Sequence, residues 1–208
     1  MRYIAGSIDA GITYHGSDDV VNIAVPEIGA VYPLRNKLWG MVDSDLGGCK
    51  DTEKSTSGLI LMINGGPVVW RSTRQTTAST GTTEAESKAA TFIGQHTHWH
   101  KDFLSELGFP QPPVRLLEDN KGVVDLSYGT TAGKSGHFRR SVAYYEGLVN
   151  RGVCWFDKVP SGENGADVLT KCVPSTVLHD LVSVNMGIRP KICLTRRLRD
   201  ILRYGHVR

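Results

Sequence analysis

The chain has 208 residues, 40% of them hydrophobic and 22% charged, with a formal net charge of +3 and a pI near 8.7. This is enough chain for one domain with a full core, or one domain with extensions, and the mild basic excess suits a polyanionic partner without proving one. The scattered Cys49, Cys154, Cys172 and Cys193 form no CxxC pair and argue against a zinc or disulfide framework and for a reducing compartment; no apolar run nears the roughly 20 residues of a membrane span, and MRYIAGSIDAG lacks a signal-peptide core.

Residues 1–36 read as an N-terminal segment. Ile12–Tyr14 and Val20–Ala24 are expected as short strands divided by the turn-rich His15–Asp19. Pro26, Gly29 and Pro33 are expected to interrupt any regular element after them. Leu38–Asp45, LWGMVDSD, reads as a buried strand that ends in Asp43 and Asp45. A polar loop, Leu46–Ser57, leads to the apolar Gly58–Ile63. Asn64-Gly65-Gly66 is a hairpin signal, with Val68–Ser72 as the return strand, so the first three strands form an antiparallel meander. The Thr/Ser-rich stretch Thr73–Thr83 connects to a long helix over Glu84–Leu107. Ala85, Ala89, Phe92, His96, Phe103 and Leu107 share one face at helical spacing, widened by Ile93 and Leu104. Thr83 is placed to be the N-cap, with Glu86 in capping-box position, and Gly108 and Pro110 stop the helix.

Val114–Leu117 is a short strand running into Glu118 and Asp119. Lys121–Leu126 reads as a short helix, Gly129–Lys134 as a loop and His137–Asn150 as a helix. Val153–Phe156 is a fifth strand, Pro160–Gly165 a loop, and a last helix begins near Ala166. Residues 189–208 are a basic tail with Arg196, Arg197, Arg199, Arg203 and Arg208. No internal repeat is present. The order β-β-β-α-β-α-α-β-α gives an α/β class: a mixed five-stranded sheet with flanking helices.

Acidic residues fall where this architecture converges. Asp43 ends the first strand and Asp119 the fourth; Glu86 lies in the first turn of the long helix, and Asp167 starts the last one. Strand ends and helix starts on one edge of a sheet can meet in space. A carboxylate buried at a strand end is costly without a partner, and four together repel. Two divalent cations would relieve this, and oxygen-only ligands favour Mg²⁺ or Mn²⁺. Two such ions about 4 Å apart activate water and stabilise a leaving oxygen in phosphodiester hydrolysis. Each acid taken alone has a simpler role. Asp43 and Asp45 can close a turn, Glu86 can serve a capping box, Asp119 with Asn120 can cap a helix, and Asp167 can favour a helix dipole.

Other residues invite weaker readings. His96 and His100 are i,i+4, but the run HTHWH has no Glu between them, which argues against a HExxH-type zinc site. Trp70, Trp99 and Trp155 are expected in packing rather than base stacking, and Cys49 and Cys154 as buried small residues.

The motifs LWGMVDSDLGGCKDTEKSTSG, MINGGPVVWRSTRQ, TTEAES, LLEDN and GADVLTK, in this order, closely resemble the ribonuclease H domain of copia-type retrotransposon Pol polyproteins. The resemblance runs over roughly residues 1–188. It implies a segment joining the reverse transcriptase to the ribonuclease H domain at 1–36, the ribonuclease H-like domain at 37–173, a C-terminal helix at 174–188, and a basic tail at 189–208 outside it. It also implies Mg²⁺- or Mn²⁺-dependent endonucleolytic cleavage of RNA in RNA–DNA hybrids, with two ions. By position, Asp43, Glu86, Asp119 and Asp167 are the catalytic, metal-holding carboxylates, while Asp45 and Glu84 match the motifs without being direct ligands. His137 could contact phosphate or shuttle a proton. Arg71, Arg74, Lys121, Lys134, Arg139 and Arg140 could meet phosphates. A reverse transcriptase in cis or in trans is the implied partner, and cytoplasmic particles with nuclear entry the implied location. The chain departs from the family pattern at Ser87, Glu118 and Arg139. A lapsed or domesticated copy acting as a nucleic-acid-binding or interaction module is therefore the competing reading.

Overall fold

Trp39–Ser44, at the centre of the sheet, is buried at every residue and fixes how the rest is laid down. A computed structural model describes residues 11–14, 22–24, 31–33, 36–130, 136, 138–173, 178, 181–182 and 185. The strands are β1 (Asn22–Ala24), β2 (Val31–Pro33), β3 (Trp39–Ser44), β4 (Thr56–Ile63), β5 (Gly66–Arg74), β6 (Val114–Glu118) and β7 (Cys154–Lys158). The helices are α1 (Thr82–Glu106), α2 (Lys121–Ser127) and α3 (Arg139–Asn150), followed by two short 3-10 turns, Ser161–Glu163 and Gly165–Leu169. The main sheet has the order β5-β4-β3-β6-β7; β3–β4 and β4–β5 are antiparallel, and β3–β6 and β6–β7 parallel. The expected mixed five-stranded sheet is therefore present.

Side-chain alternation sorts the core into two layers. Val42, Leu59, Leu61, Val114 and Leu116 face the helices, where Ala89, Ala90 and Ile93 of α1 and Val142, Tyr145 and Leu148 of α3 cover them. Trp39, Met41, Ile60, Met62 and Leu117 face the other way, against Val159 and Ala166. Burial on both faces explains why β3 and β4 read as nearly continuous apolar runs. The β4–β5 turn has Asn64 and Gly65 in the left-handed region, at φ 50 and 80, as a tight two-residue hairpin requires.

Several expectations are corrected. Residues 11–14 carry no regular structure, whereas Val31–Pro33 pairs antiparallel with Asn22–Ala24; a proline is tolerated at the end of such a two-stranded ribbon. Strand and helix ends move by at most two residues. In α1 the expected apolar face is buried only in its first half: Phe103 and Leu107 are exposed, at 41% and 56%. The segment from Ala166 opens with a 3-10 turn rather than an α-helix, although Leu178, Leu181, Val182 and Asn185 beyond it are helical. The Thr131–Lys134 part of the expected loop, His137 and residues 186–208 lie outside the described residues.

The Gly165–Leu169 turn is stitched onto the sheet by buried amides. Asn164 Nδ2 donates to the Val42 carbonyl at 2.7 Å, its Oδ1 accepts from Ala166 N at 3.1 Å, and Asn185 Nδ2 donates to the Gly165 carbonyl at 2.9 Å. Close approach also needs a bare strand. Gly58 is the register partner of Asp43, and a Cβ there would lie 2.8 Å from Thr170 Cγ2 and 3.0 Å from the Ala166 carbonyl oxygen. Gly58→Ala is thus expected to push the turn off β4 and cost about 1–3 kcal/mol, the usual range for overpacking. Urea denaturation checks this; a parent-like midpoint would show that the turn does not depend on Gly58.

Candidate metal centre

Parallel pairing of β3 and β6 brings the ends of both strands to one edge of the sheet, with Asp43 on the first and Asp119 just past the second. The start of α1 carries Glu86 to that edge, and the turn anchored by Asn164 carries Asp167. Oxygen atoms of Asp43, Asp119 and Asp167 all lie within 4.8 Å of one another. A second trio, Glu86, Glu118 and Asp119, meets the same limit. The four carboxylates singled out in the sequence are therefore together, and Asp119 belongs to both groups. Glu118 is the member that the sequence marks only as a departure from the family pattern. Two residues on from Leu116, it takes the helix-facing side of β6 and is fully buried.

The other motif acids have separate tasks. Asp45 Oδ1 accepts from Thr56 N and fixes the start of β4. Glu84 accepts from Thr80 N at 2.8 Å and from Thr80 Oγ1 at 2.9 Å, and pairs with Lys88 Nζ at 2.9 Å. Burial pushes the Glu84 carboxyl up, but these bonds outweigh it and hold it at about 2. The expected capping box at Thr83 and Glu86 is corrected: the N-cap is Gly81, without a side-chain bond, and Glu84 is the acid that reaches back. Glu86 is thereby left to point into the cluster.

The electrostatics are those of carboxylates short of cations. Asp43 is pushed up to about 7, mainly by burial and further by Asp167 and Asp119, against a lowering bond from Thr170 Oγ1 and the charge of Lys171. Glu86 rises to about 9 through burial, then through the charges of Asp43 and Asp119. Glu118 is raised well above the usual carboxylate range by burial and then by Glu86, and Asp167 is raised by burial against the pull of Lys171. Lys171 Nζ lies 3.0 Å from Asp167 Oδ1 and 3.6 Å from Asp43 Oδ2. Lys158 Nζ donates to the Asp119 carbonyl rather than to its carboxylate. Asp43 Oδ1, Glu86 Oε2 and Glu118 Oε2 are buried and accept no hydrogen bond. Buried polar atoms in native folds nearly always have a partner. An all-oxygen donor set with such atoms left over fits a hard divalent cation such as Mg²⁺ or Mn²⁺.

Of the cationic residues considered for phosphate contact, Arg71, Arg74, Lys121, Arg139 and Arg140 are exposed, while Lys134 and His137 lie outside the described residues. The packing expectation is corrected for Trp70 and Trp99, which are 54% and 60% exposed; Trp155 is half-buried. Trp70, Trp99, Arg71, His96 and His100 line a groove of about 670 Å³ between β5 and α1. Within it, His100 Nδ1 hydrogen-bonds the His96 carbonyl at 2.7 Å. Cys49 is also corrected. Its thiol is not buried but half-exposed, receives a hydrogen bond from Arg74 Nη1 at 3.2 Å, and is lowered to about 7, chiefly by hydrogen bonding with Thr52. Ser87, where the family pattern has an aromatic, lies against the buried Tyr145, with the two hydroxyl oxygens 3.3 Å apart.

A five-stranded sheet with this order and pairing, and an acidic cluster at one edge, defines the ribonuclease H fold. LC11-RNase H1, isolated from compost by a metagenomic approach, shares it with a TM-score of 0.52 at 19% identity, over 65% of this chain and 93% of that one. The same enzyme in complex with an RNA/DNA hybrid gives a TM-score of 0.52 at 17% identity, over 64% of this chain and 94% of that one. The chain is a homologue of the retrovirus-related Pol polyproteins of plant transposons. It is 30% identical over 175 residues, 84% of its length, to the polyprotein from transposon TNT 1-94 of Nicotiana tabacum. It is 28% identical over 186 residues, 88% of its length, to that from transposon RE1 of Arabidopsis thaliana. The matched region spans 12% of the length of each of these relatives. No protein-family model matches the chain.

The raised carboxyls give a pH dependence of defined sign. Asp43 and Glu86 bind protons more tightly folded than unfolded, so stability is greatest where they are protonated and declines as they ionise. In chelator, the thermal midpoint is expected to fall as pH rises from about 4, where free carboxylates titrate, towards 9, where Glu86 ionises. Mg²⁺ or Mn²⁺ should flatten that slope. A chelator profile that rises over this range would contradict the electrostatic account.

Proposed function

We propose that this chain is the ribonuclease H of a copia-type retrotransposon Pol polyprotein, hydrolysing the RNA strand of RNA–DNA hybrids with two divalent ions. The observation that carries the reading is the pair of carboxylate trios joined through Asp119, with buried oxygens left without partners. Asp43, Glu86, Asp119 and Asp167 would hold the ions. When bound, Mg²⁺ or Mn²⁺ supplies charge stabilisation at the phosphate and a more acidic water. The chain's own contribution is placement. β3 and β6 fix Asp43 and Asp119 on rigid backbone, the Thr170 hydroxyl orients the Asp43 carboxylate, and Glu84 keeps the start of α1 closed so that Glu86 is delivered to the edge.

Homology to Pol polyproteins supports a reverse transcriptase as the natural partner, in cis or in trans, with residues 1–36 as the connection and 37–173 as the nuclease domain. The hybrid complex of the structurally similar LC11-RNase H1 supports the substrate class. Selectivity for RNA would come from 2′-hydroxyl contacts, and the exposed Arg71, Arg74, Lys121, Arg139 and Arg140 would meet backbone phosphates, making binding salt-dependent. The test is cleavage of a labelled RNA–DNA hybrid with Mg²⁺. Asp43→Asn is expected to lower the rate by about 10²–10³, the usual effect of deleting one electrostatic stabiliser. Equal rates for parent and variant, or none for either, would reject catalysis at this site and leave the non-catalytic binding module as the reading.

A further inference from the structure

We infer that Glu118 is a fifth metal ligand, and that Glu86, Glu118 and Asp119 form a cation site which fills before any nucleic acid arrives. The inference rests on the metal-centre reading and goes beyond the four carboxylates assigned there.

The three side chains each bring an oxygen within 4.8 Å of the other two. An ion of Mg²⁺ size holds its ligands at about 2.1 Å, so oxygens on opposite sides of it sit about 4 Å apart; a small contraction of the side chains closes the trio on one ion. Burial points the same way. Glu118 is 0% exposed and Glu86 6% exposed, and each has one oxygen, Oε2, with no hydrogen-bond partner. Glu118 Oε1 is already engaged by Asn120 N at 2.9 Å, which orients the carboxyl and leaves Oε2 as the available atom. The first trio differs in kind. Its Asp119 and Asp167 are only partly buried, and Lys171 pairs with both Asp43 and Asp167. Magnesium sites in phosphate-processing enzymes commonly use one or two carboxylates and complete their shell with substrate oxygens. Three carboxylates from the chain, two of them out of reach of solvent, form a site that needs no substrate oxygen to hold its ion.

The experiment is a Mn²⁺ titration of the full chain without nucleic acid, read by the electron paramagnetic resonance of free Mn²⁺ and by calorimetry. The parent is expected to bind two ions. Glu118→Gln, close to isosteric, should lose the tighter ion or weaken it at least tenfold, while Glu118→Asp should restore part of the loss. Asp167→Asn should keep the Glu118-dependent ion and weaken the other, and adding Glu118→Gln to it should abolish binding. If Glu118→Gln fails to fold, Glu118→Asp decides in its place: the shortened carboxylate must weaken the tighter ion and leave the Asp167-dependent one unchanged, and parent-like affinity for both ions overturns the inference. Unchanged Mn²⁺ stoichiometry and affinity in Glu118→Gln overturns the inference. That result leaves the nuclease reading intact, because hybrid cleavage lost in Asp43→Asn tests it separately. A parent that binds no Mn²⁺ overturns the inference outright.

Discussion

Repulsion among carboxylates gathered at one edge of a buried sheet is the constraint on which this structure turns. Asp43 is 1% exposed and Glu118 fully buried, yet both stand among further acids. In a low dielectric, charges this close and this poorly hydrated cannot all ionise. The chain answers by raising the Asp43 and Glu86 carboxyls, which favours their neutral forms, and with the ammonium of Lys171. Both answers are partial. The cost that remains falls on the two apolar layers packed on either side of the sheet.

Those layers also make the cluster rigid. Asp43 sits on a strand hydrogen-bonded on both sides, to β4 and to β6, so its backbone has no freedom to spread the charges apart. The Gly165–Leu169 turn is bound to the same strand through Asn164 and lies flush on Gly58. Relaxation by movement is closed off, which leaves relaxation by binding a cation. This is the general form of a preorganised site: the chain does the electrostatic work during folding, and a ligand recovers it.

Much of this was legible in the sequence because its signals are local or periodic. The β3–β4–β5 meander follows from apolar runs and the Asn64-Gly65 turn, and the four acids from their places at element ends. The rest depends on contacts that a linear pattern does not carry. Glu84 and Glu86 stand two residues apart at the start of α1, and only the helix start, which puts Glu84 in the first turn within reach of Thr80, decides that Glu84 is the one that folds back. Glu118 stands out in the sequence only as a charge, because its full burial comes from tertiary neighbours, Glu86 among them, that no linear pattern places beside it. The 3-10 turn at Gly165–Leu169 reflects tethering by Asn164 and Asn185, a tertiary override of helix propensity. In the second half of α1 the periodicity persists but the burial does not: Trp99, Phe103 and Leu107 are exposed. Periodicity predicts which residues share a face, not how far the covering surface extends.

The position of Lys171 shows why one fixed charge does not complete the site. Its ammonium spans Asp43 and Asp167 on the open side of the cluster, at 3.6 and 3.0 Å, and its side chain is 42% exposed, so it can leave as easily as it arrives. At Glu118 burial and the neighbouring acids raise the carboxyl, and the backbone bond from Asn120 works against that rise. Asp119, common to both trios, ties the two halves together: a cation that enters on either side lowers the cost of ionising the acids on the other. Charge on the open half is shared with an exposed lysine and solvent, whereas in the closed half Glu86 Oε2 and Glu118 Oε2 are buried without a hydrogen-bond partner. The asymmetry between the halves, rather than the count of acids, is what separates this edge from an ordinary acidic surface.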